Sequence, residues 1–272
     1  SISFKHMLYA LSARILVASD ARPHLYLWRP RRNIITRFIR ERPIFFLQHG
    51  VTALKRVDYL FGKRGSTPMT YFLTTSKAEQ DIVVKHFGYD VHHAPVLGFS
   101  RWDALRDTSA QEEHPSILLM PTWRQWLEGV DDQTFVESEY CQTYTELLND
   151  DRLTDLLEQT ETTLKFFIHQ KFSEQIIHFG KVSPHVELVP MGSEPLNELL
   201  MSCKALITDY SSVAWDMLYM DKPVLFFQFD QDRYVYEVGA YVDLNEELPG
   251  PVSKTTEVLL HDLRTCIESG FI

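Results

Sequence analysis

The chain has 272 residues and a net charge of −10, from 27 Lys or Arg against 37 Asp or Glu. Its apolar fraction of 44% and charged fraction of 24% are ordinary for a globular protein and argue against wholesale disorder. No stretch of about eighteen residues is apolar and uncharged, and Arg14 interrupts the only N-terminal apolar stretch, so we expect neither a transmembrane helix nor a signal peptide.

Short apolar segments alternate with amphipathic ones along the chain, which predicts strands and helices in turn. Extended segments are expected at 15–18, 44–47, 71–74, 93–97, 117–120, 164–168, 186–189, 205–208 and 224–227. Helices are expected at 76–88, at 139–159 with a break near Asn149, from Ser173, from Ser193 to 200, at 211–219 and at 254–268. Ser76 and Glu79 have the spacing of a capping box.

This alternation is typical of α/β proteins, whose parallel sheets are covered by helices on both faces. From about residue 116 onward it is regular enough to form one α/β unit, and the earlier part resembles the tail of another. The polar stretch 107–115 is the expected boundary. We therefore predict a partial N-terminal domain at 1–110 and a C-terminal domain at 111–272.

Positive charge is concentrated near the N-terminus. Residues 1–64 carry 13 Lys or Arg and 3 acidic residues, a charge of +10, and six of the arginines fall within 29–42. Such a segment, with Trp28 and Phe38 among its arginines, suits a helix on an anionic membrane surface, although a solvated face that balances the acidic remainder is the simpler reading. No RNA-binding signature accompanies it, so no nucleic-acid partner is expected.

The three cysteines, Cys141, Cys203 and Cys266, are odd in number and far apart. A disulfide framework and a CxxC metal site are both unexpected, and a reducing, cytoplasmic setting fits this usage.

The chemistry is expected where strands end, because ligands of doubly wound sheets bind beyond the carboxyl ends of the strands. Ser211 and Ser212 follow the strand at 205–208 and precede a helix, as in a diphosphate cradle, and Asp216 lies one turn further on. Simple N-capping by Asp209 or Ser211 would explain the same residues.

Two histidines also follow strands. His49, with Gly50 after it, could approach a ligand closely and abstract a proton from a hydroxyl, or it could be a structural histidine. His169 and Lys171 could neutralise phosphate charge, or they could belong to a polar loop.

Two further strand ends offer a hydroxyl at Thr122 and a guanidinium at Arg101. The chain lacks P-loop, GxGxxG, HExxH and GxSxG motifs and any Asp-rich metal cage, so we expect no cofactor and no tightly held metal.

Together these segments resemble the CDP-glycerol:poly(glycerophosphate) glycerophosphotransferase family, which includes teichoic-acid and capsule polymerases. The most specific match runs from Ile207 through Thr208-Asp209-Tyr210-Ser211-Ser212 to Asp216, and continues through Lys222-Pro223 to Asp230 and Tyr234. Further matches are the segment from His49-Gly50 to Lys55, the turn from Gly98 to Asp103, and Pro121-Thr122-Trp123-Arg124.

The resemblance implies a GT-B-like fold, in which two Rossmann-like domains face a cleft. It also implies transfer of glycerol phosphate or ribitol phosphate from a CDP-polyol to a hydroxyl of a growing polymer or lipid-linked acceptor, with release of CMP. By motif position, His49 is the base and His169 contacts the donor diphosphate. The implied donor-site residues are Gly50, Arg101, Thr122, Arg124, Lys171, Ser211, Ser212 and Asp216.

One departure from the family pattern concerns charge. The family commonly has an arginine two residues before the second histidine, where this chain has Phe167, so diphosphate binding would fall to Lys171 or Arg124. Two alternatives stay open: a GT-B glycosyltransferase or epimerase that uses a sugar nucleotide, and a non-catalytic module that docks on membrane or polymer. The expected location is the cytoplasm, with peripheral contact to the inner face of the cell membrane.

Overall fold

The computed structural model describes residues 3–21, 25, 41–180 and 182–272. It divides the chain into two compact units, residues 1–103 (unit 1) and 104–272 (unit 2). The division lies a few residues before the polar stretch 107–115. No helix among the described residues is long and apolar enough to cross a membrane. Residues 29–40, most of the basic segment expected to contact a membrane, lie outside the described part.

Unit 1 contains a parallel three-stranded sheet in the order β1-β2-β3. Its strands are β1 (Leu16–Ala18), β2 (Ile44–Phe46) and β3 (Tyr71–Phe72). The α-helices that the structure describes in this unit are α1 (Phe4–Ser12), α2 (Asp58–Phe61) and α3 (Lys77–Ile82). A π-helical segment at Val83–Phe87 continues α3, and Gly88 then ends the helix in the left-handed conformation, with φ of 74°.

Unit 2 contains a parallel six-stranded sheet in the order β6-β5-β4-β7-β8-β9. Its strands are β4 (Ser116–Leu119), β5 (Thr163–Phe167), β6 (Val186–Val189), β7 (Ala205–Thr208), β8 (Val224–Phe227) and β9 (Val252–Ser253). Its α-helices are α4 (Asp132–Val136), α5 (Glu139–Leu148), α6 (Asp151–Gln159), α7 (Leu196–Ser202), α8 (Ala214–Tyr219), α9 (Gln231–Glu237) and α10 (Thr256–Glu268).

The strand order of unit 2 is that of the Rossmann fold. Numbered within the unit, the strands run 3-2-1-4-5-6, and the chain reverses its direction of travel across the sheet between β4 and β7. All four residues of each of the strands β4, β7 and β8 are buried, as expected for a parallel sheet covered on both faces. These sheets confirm the predicted α/β fold class.

Several local predictions were wrong. Ser193 does not cap a helix, because its hydroxyl bonds to the Pro190 carbonyl and α7 begins only at Leu196. The helix expected from Ser211 begins at Ala214. The segment expected to be extended at 93–97 starts with a 3₁₀ turn at Val91–His93 and joins the sheet region only through a bridge at Val96. The sequence patterns also missed α1, α2, α4, α9 and β9.

A buried lysine joins the start of unit 2 to its core. Lys222 Nζ donates to the carbonyl oxygens of Leu200, Met201 and Cys203 at the end of α7, at 3.0, 2.5 and 2.7 Å. The same nitrogen lies 2.9 Å from an Asp107 carboxylate oxygen. These bonds satisfy helix-end carbonyls that would otherwise lack donors. They also explain why residues 104–115 pack with unit 2 instead of forming a free linker.

The Lys222 contacts predict a stability loss in Lys222→Met, which removes the donor from three carbonyls and leaves Asp107 unpaired. We expect the free energy of unfolding at pH 7 to fall by about 2 to 4 kcal/mol in urea titrations. Burial would raise the pKa of Asp107, but hydrogen bonds from Ser109 and Lys222 outweigh it and lower the pKa from 3.8 to about 2. Because the folded pKa is depressed, this stabilisation is present above pH 4 and is lost as the pH falls toward 2.

Lys222→Met should therefore lose part of the stability change between pH 4 and pH 2 as well. The matched control is Lys254→Met, at an exposed lysine, which should change the unfolding free energy by less than about 0.5 kcal/mol. Equal stability of Lys222→Met and wild type would contradict the assigned role.

Candidate active site

The His49 ring is held in one orientation by the backbone of unit 1. Ser19 follows β1, His49 follows β2, and His49 Nδ1 lies 3.0 Å from the Ser19 carbonyl oxygen. A carbonyl can only accept a hydrogen bond, so Nδ1 carries the proton of the neutral ring. The lone pair is then on Nε2 of an exposed side chain. This is the tautomer and the accessibility that a general base requires.

The loop that carries His49 is supported from within by a buried carboxylate. Glu79, in the first turn of α3, accepts hydrogen bonds from the Thr52 and Thr75 backbone N–H groups at 2.7 and 2.6 Å. It also accepts from the Thr75 hydroxyl at 2.8 Å and from the Gln48 side-chain amide at 3.1 Å. Gln48 itself has φ of 59°, a conformation unusual for a residue other than glycine. Neighbours that bind its side chain offset this strain.

The capping box predicted for α3 is therefore half confirmed. The Ser76 hydroxyl accepts a hydrogen bond from the Glu79 N–H at 3.2 Å, as expected of an N-cap. The carboxylate of Glu79 serves the His49 loop instead of returning to the Ser76 backbone. Gly50, next to His49, is half-buried.

Arg101 also belongs to unit 1. It lies in a 3₁₀ segment at Ser100–Ala104, after Gly98, whose φ is 76°. The guanidinium carbon is 4.2 Å from the centre of the Phe99 ring, which is close enough for a cation–π contact. The structure thus places His49, Gly50 and Arg101 in unit 1 and the other predicted site residues in unit 2.

In unit 2, the predicted residues gather at the carboxyl edge of one sheet. Thr122 follows β4 and Asp209 follows β7, the two strands that flank the reversal of strand order. The Thr122 N–H donates to Asp209 Oδ1 at 2.9 Å, and the Thr208 hydroxyl donates to the Met120 carbonyl at 2.7 Å. Doubly wound folds bind their ligands at this position in the sheet.

A fully buried arginine lies beneath this edge. Arg124 Nε and Nη2 donate to the two carboxylate oxygens of Asp230 at 2.6 and 3.1 Å. Its Nη1 lies 2.8 Å from Asp209 Oδ2 and donates to the Thr122 carbonyl at 2.6 Å. Arg124 and Asp209 are each 0% exposed. The guanidinium is thus out of solvent and engaged by two carboxylates, which does not fit the expected direct contact between Arg124 and a donor.

Charge in this cluster is compensated by neutral donors. Burial would lower the pKa of Arg124, but Asp209 and Asp230 outweigh it and raise the pKa further, so the guanidinium is charged. Two carboxylates against one guanidinium leave an excess negative charge. Two tyrosine hydroxyls donate hydrogen bonds to these carboxylates. Tyr210 donates to Asp230 at 3.1 Å, and Tyr144 donates to Asp209 at 3.4 Å. Burial raises the pKa of both tyrosines, so they keep their protons.

His169 and Lys171, which follow β5, contact the segment after β4. The His169 and Trp123 rings lie 6.1 Å apart, and Lys171 Nζ is 3.8 Å from the centre of the Trp123 ring. His169 Nδ1 accepts a hydrogen bond from the Lys171 N–H at 3.2 Å, which places the proton of a neutral ring on Nε2. Lys171 also pairs with Glu128 at 2.5 Å, although both side chains are more than 40% exposed. Such a pair contributes little to stability and could yield to an anion.

Ser211 and Ser212 lie in the turn between β7 and α8, both half-buried. The Ser211 hydroxyl accepts from the Val213 N–H at 3.4 Å, and no side chain caps α8. The alternative that Asp209 caps this helix is not observed, because its carboxylate bonds to the Thr122 and Tyr210 N–H groups instead. Asp216 is buried in α8, at 5% exposure.

Sequence reasoning missed the roles of Glu79, Asp209 and Asp230. The available signal was an arginine after one buried strand and aspartates after two others, which parallel pairing brings to one edge. The buried Thr122 hydroxyl has no hydrogen-bond partner among the described residues, and it lies at the same edge. Within that part of the chain, no group of three or more His, Cys, Asp or Glu is placed to hold a metal ion.

Comparison with known proteins identifies the family to which this α/β chain belongs. Residues 1–270 match the model of the family described as CDP-Glycerol:Poly(glycerophosphate) glycerophosphotransferase. The chain belongs to this family, which confirms the resemblance seen in its motifs.

Several similar proteins are named for teichoic acid synthesis. The chain is 28% identical to the minor teichoic acid biosynthesis protein GgaB of Bacillus subtilis, over 96% of this chain and 30% of GgaB. It is 34% identical to the teichoic acid ribitol-phosphate primase of Bacillus spizizenii, over 96% of this chain and 69% of the primase. A structure of a variant of the wall teichoic acid polymerase TagF soaked with CDPG has a similar fold, with TM-score 0.65, 19% identity, and coverage of 95% of this chain and 65% of TagF. The chain spans less than a third of GgaB and about two thirds of the other two.

The contacts of Arg124 with Asp209 and Asp230 predict that loss of the guanidinium destabilises the protein. Arg124→Leu leaves the carboxylates of Asp209 and Asp230 buried, close together and without a cation. We expect the free energy of unfolding to fall by about 3 to 5 kcal/mol in urea titrations at pH 7. Adding Asp209→Asn and Asp230→Asn to this variant should recover part of the loss, since it removes the unpaired charges.

The matched control is Arg152→Leu, which breaks a pair with Asp150 in which the arginine side chain is 61% exposed. This change should cost less than about 1 kcal/mol. If Arg124→Leu were as stable as Arg152→Leu, the cluster would not organise this edge of the sheet.

Proposed function

We propose that this chain is the catalytic part of a transferase that moves a polyol phosphate from a CDP-polyol to a hydroxyl of a growing cell-surface polymer, with release of CMP. The polyol phosphate is glycerol 3-phosphate or ribitol 5-phosphate, and the polymer is a teichoic acid or a capsule chain. The observation that carries the proposal is the His49 ring, bonded through Nδ1 to the Ser19 carbonyl with Nε2 left as a base. Membership of the family supplies the class of reaction.

The donor is assigned to the carboxyl edge of the sheet in unit 2. The hydroxyls of Ser211, Ser212 and Thr122 bind the diphosphate there, and His169 donates to it through Nε2–H. Lys171 leaves Glu128 to neutralise charge, a role that Phe167 cannot fill. Asp216, which is buried in α8, is a further donor-site residue of this proposal. Arg124 positions Thr122 and the segment from Asp209 without contacting the donor, because its guanidinium is enclosed.

The proposed reaction is a phosphoryl-type transfer with CMP as the leaving group. His49 Nε2 takes the proton of the acceptor hydroxyl, whose oxygen attacks the phosphorus that carries the polyol. The bond from that phosphorus to the bridging diphosphate oxygen breaks, and CMP leaves with the electron pair. Positioning and charge neutralisation account for most of the rate in such reactions. Arg101 and Gly50 are the proposed substrate-binding residues of unit 1.

A cytoplasmic location, with the protein held against the inner face of the membrane, accompanies this proposal. The motivation is the charge of +10 on residues 1–64, since anionic lipids attract clustered arginines. A lipid-linked acceptor would be presented at that surface.

The proposed base is tested by His49→Ala. Release of CMP from CDP-glycerol or CDP-ribitol with acceptor should fall by about 10²- to 10⁴-fold, because no other group takes the proton. Circular dichroism and thermal unfolding should match the wild type, since the side chain is exposed. The matched control is His114→Ala, at an exposed histidine of unit 2, which should release CMP at the wild-type rate. Turnover unchanged by His49→Ala would remove the assigned base.

The donor site is tested by thermal shift with CDP-glycerol, CDP-ribitol, CTP and UDP-sugars. A ligand at one hundred times its dissociation constant adds about 2.7 kcal/mol to the unfolding free energy, and we expect this only with the CDP-polyols. Replacing Ser211 and Ser212 together by alanine should raise that dissociation constant about tenfold or more, as expected when hydrogen bonds to a charged group are lost.

Ser193→Ala is the matched control for the serine variant, because Ser193 is an exposed serine bonded only to the Pro190 carbonyl. It should bind the CDP-polyols normally. A larger shift with UDP-sugars would favour the sugar-nucleotide alternative, and no shift with any nucleotide would favour a non-catalytic module.

A further inference from the structure

Unit 1 has a second concave site, formed where the loop after α2 meets the π-helical end of α3. The pocket has a volume of about 630 Å³. The Lys63 N–H donates to the Phe87 carbonyl at 2.8 Å, which joins the two walls. No role in the reaction proposed above uses this pocket.

Glycines fix the path of the loop. A Cβ on Gly62 would lie 2.5 Å from the Asp58 carbonyl oxygen, and one on Gly65 would lie 2.5 Å from the Leu60 carbonyl oxygen. Neither position accepts a side chain without movement of the backbone. Glycine is therefore required at both positions for the observed path of this wall of the pocket.

The lining of the pocket is strongly cationic. Lys63, Arg64 and Lys85 line it with exposed side chains, and no described carboxylate pairs with any of the three. Asp58 is the single acidic lining residue, so the lining has a net positive charge even when His86 is neutral. Tyr59 adds a largely exposed aromatic ring, at 62%.

The positive charges of the pocket also affect the pKa of its histidine, His86. Burial lowers the pKa of His86, and the charges of Lys85 and Arg56 lower it further, with Asp58 in opposition. A bound anion would reverse the effect of these cations.

The pocket lies at a distance from the His49 loop within the same unit. Glu79, which holds that loop, is in the first turn of α3, and Phe87 is at the far end of its continuation. Eight residues at about 1.5 Å each give a separation on the order of 10 Å. A ligand that spans both places must be a chain rather than a single small anion.

We propose that this basic pocket binds phosphodiester groups of the acceptor polymer, at least one repeat behind the hydroxyl that reacts. The inference rests on the proposed function, because a poly(polyol phosphate) acceptor carries one negative charge per repeat and matches cations arranged along its path. Binding here keeps a long acceptor on the protein and favours it over an acceptor with a single unit.

The direct test is binding of defined glycerol phosphate oligomers to the 272-residue chain without donor, measured by calorimetry. Replacing Lys63, Arg64 and Lys85 together by glutamine should raise the dissociation constant of a ten-unit oligomer about tenfold, a loss that increased salt reproduces in the wild type. The matched control replaces three exposed cations of unit 2, Arg106, Lys254 and Arg264, by glutamine and should bind like the wild type. In proton NMR, the pKa of His86 should rise when the oligomer binds.

Kinetics provide the second arm of the test. In CMP-release assays, the KM advantage of the ten-unit acceptor over a one-unit acceptor should shrink about tenfold in the pocket variant and stay intact in the control. If the wild type binds the oligomer through the pocket but releases no CMP, binding of the polymer by the pocket is supported and the proposed function fails. If CMP release depends on His49 while the pocket variant binds the oligomer normally, the inference alone is overturned.

Lipid headgroups carry the same phosphodiester chemistry, so a third arm uses phosphatidylglycerol vesicles. Loss of vesicle binding by the pocket variant, with normal oligomer binding, would assign the pocket to a membrane surface and overturn the proposal. Equal loss of oligomer binding by the control variant would also overturn it, because general charge would then explain the effect.

Discussion

Arg124 ties together the ends of three neighbouring strands. Its guanidinium bonds to a carboxylate after β7, a carboxylate after β8 and a carbonyl after β4. A buried cation is tolerated only when it is paired and hydrogen-bonded, and here each of the three guanidinium nitrogens lies within hydrogen-bond distance of at least one oxygen. The cluster therefore fixes the segments that begin at Thr122 and Asp209. The serines proposed to bind the donor follow directly from one of these segments.

In unit 1 a buried carboxylate, that of Glu79, has the role that the buried guanidinium has in unit 2. The buried carboxylate of Glu79 collects backbone and side-chain donors from the segments after β2 and β3, and so fixes the loop next to His49. In both units a buried polar side chain holds loop residues, through carboxylates and one carbonyl around Arg124 and through backbone and side-chain donors around Glu79. Loops at the edge of a parallel sheet would otherwise be mobile, and a catalytic geometry depends on holding them.

Charge is divided between the parts of the chain in a way that fits the proposed substrates. Residues 1–64 carry +10, whereas the remainder carries −20. A polyanionic acceptor would be drawn to the basic part, where His49 and the pocket lined by Lys63 lie. The proposed donor is a small dianion, and its proposed contacts are a few hydroxyls, an imidazole and one lysine. Long-range attraction and local hydrogen bonding are thus assigned to different ends of the sequence.

The sequence by itself determined the α/β class, most strand positions, the family and the strand-end segments that hold His49, His169 and Ser211. These features depend on local apolar patterns and contiguous motifs, which a chain displays without folding. Tertiary structure alone decided that Arg124 is enclosed by Asp209 and Asp230, that Glu79 supports the His49 loop, and that Lys222 fastens residues 104–115 to unit 2. Each of these contacts joins residues far apart in sequence, and strand order decides which of them meet. Because strand order is set by packing of the whole sheet, a local pattern can place such residues after strands but cannot show which of them meet.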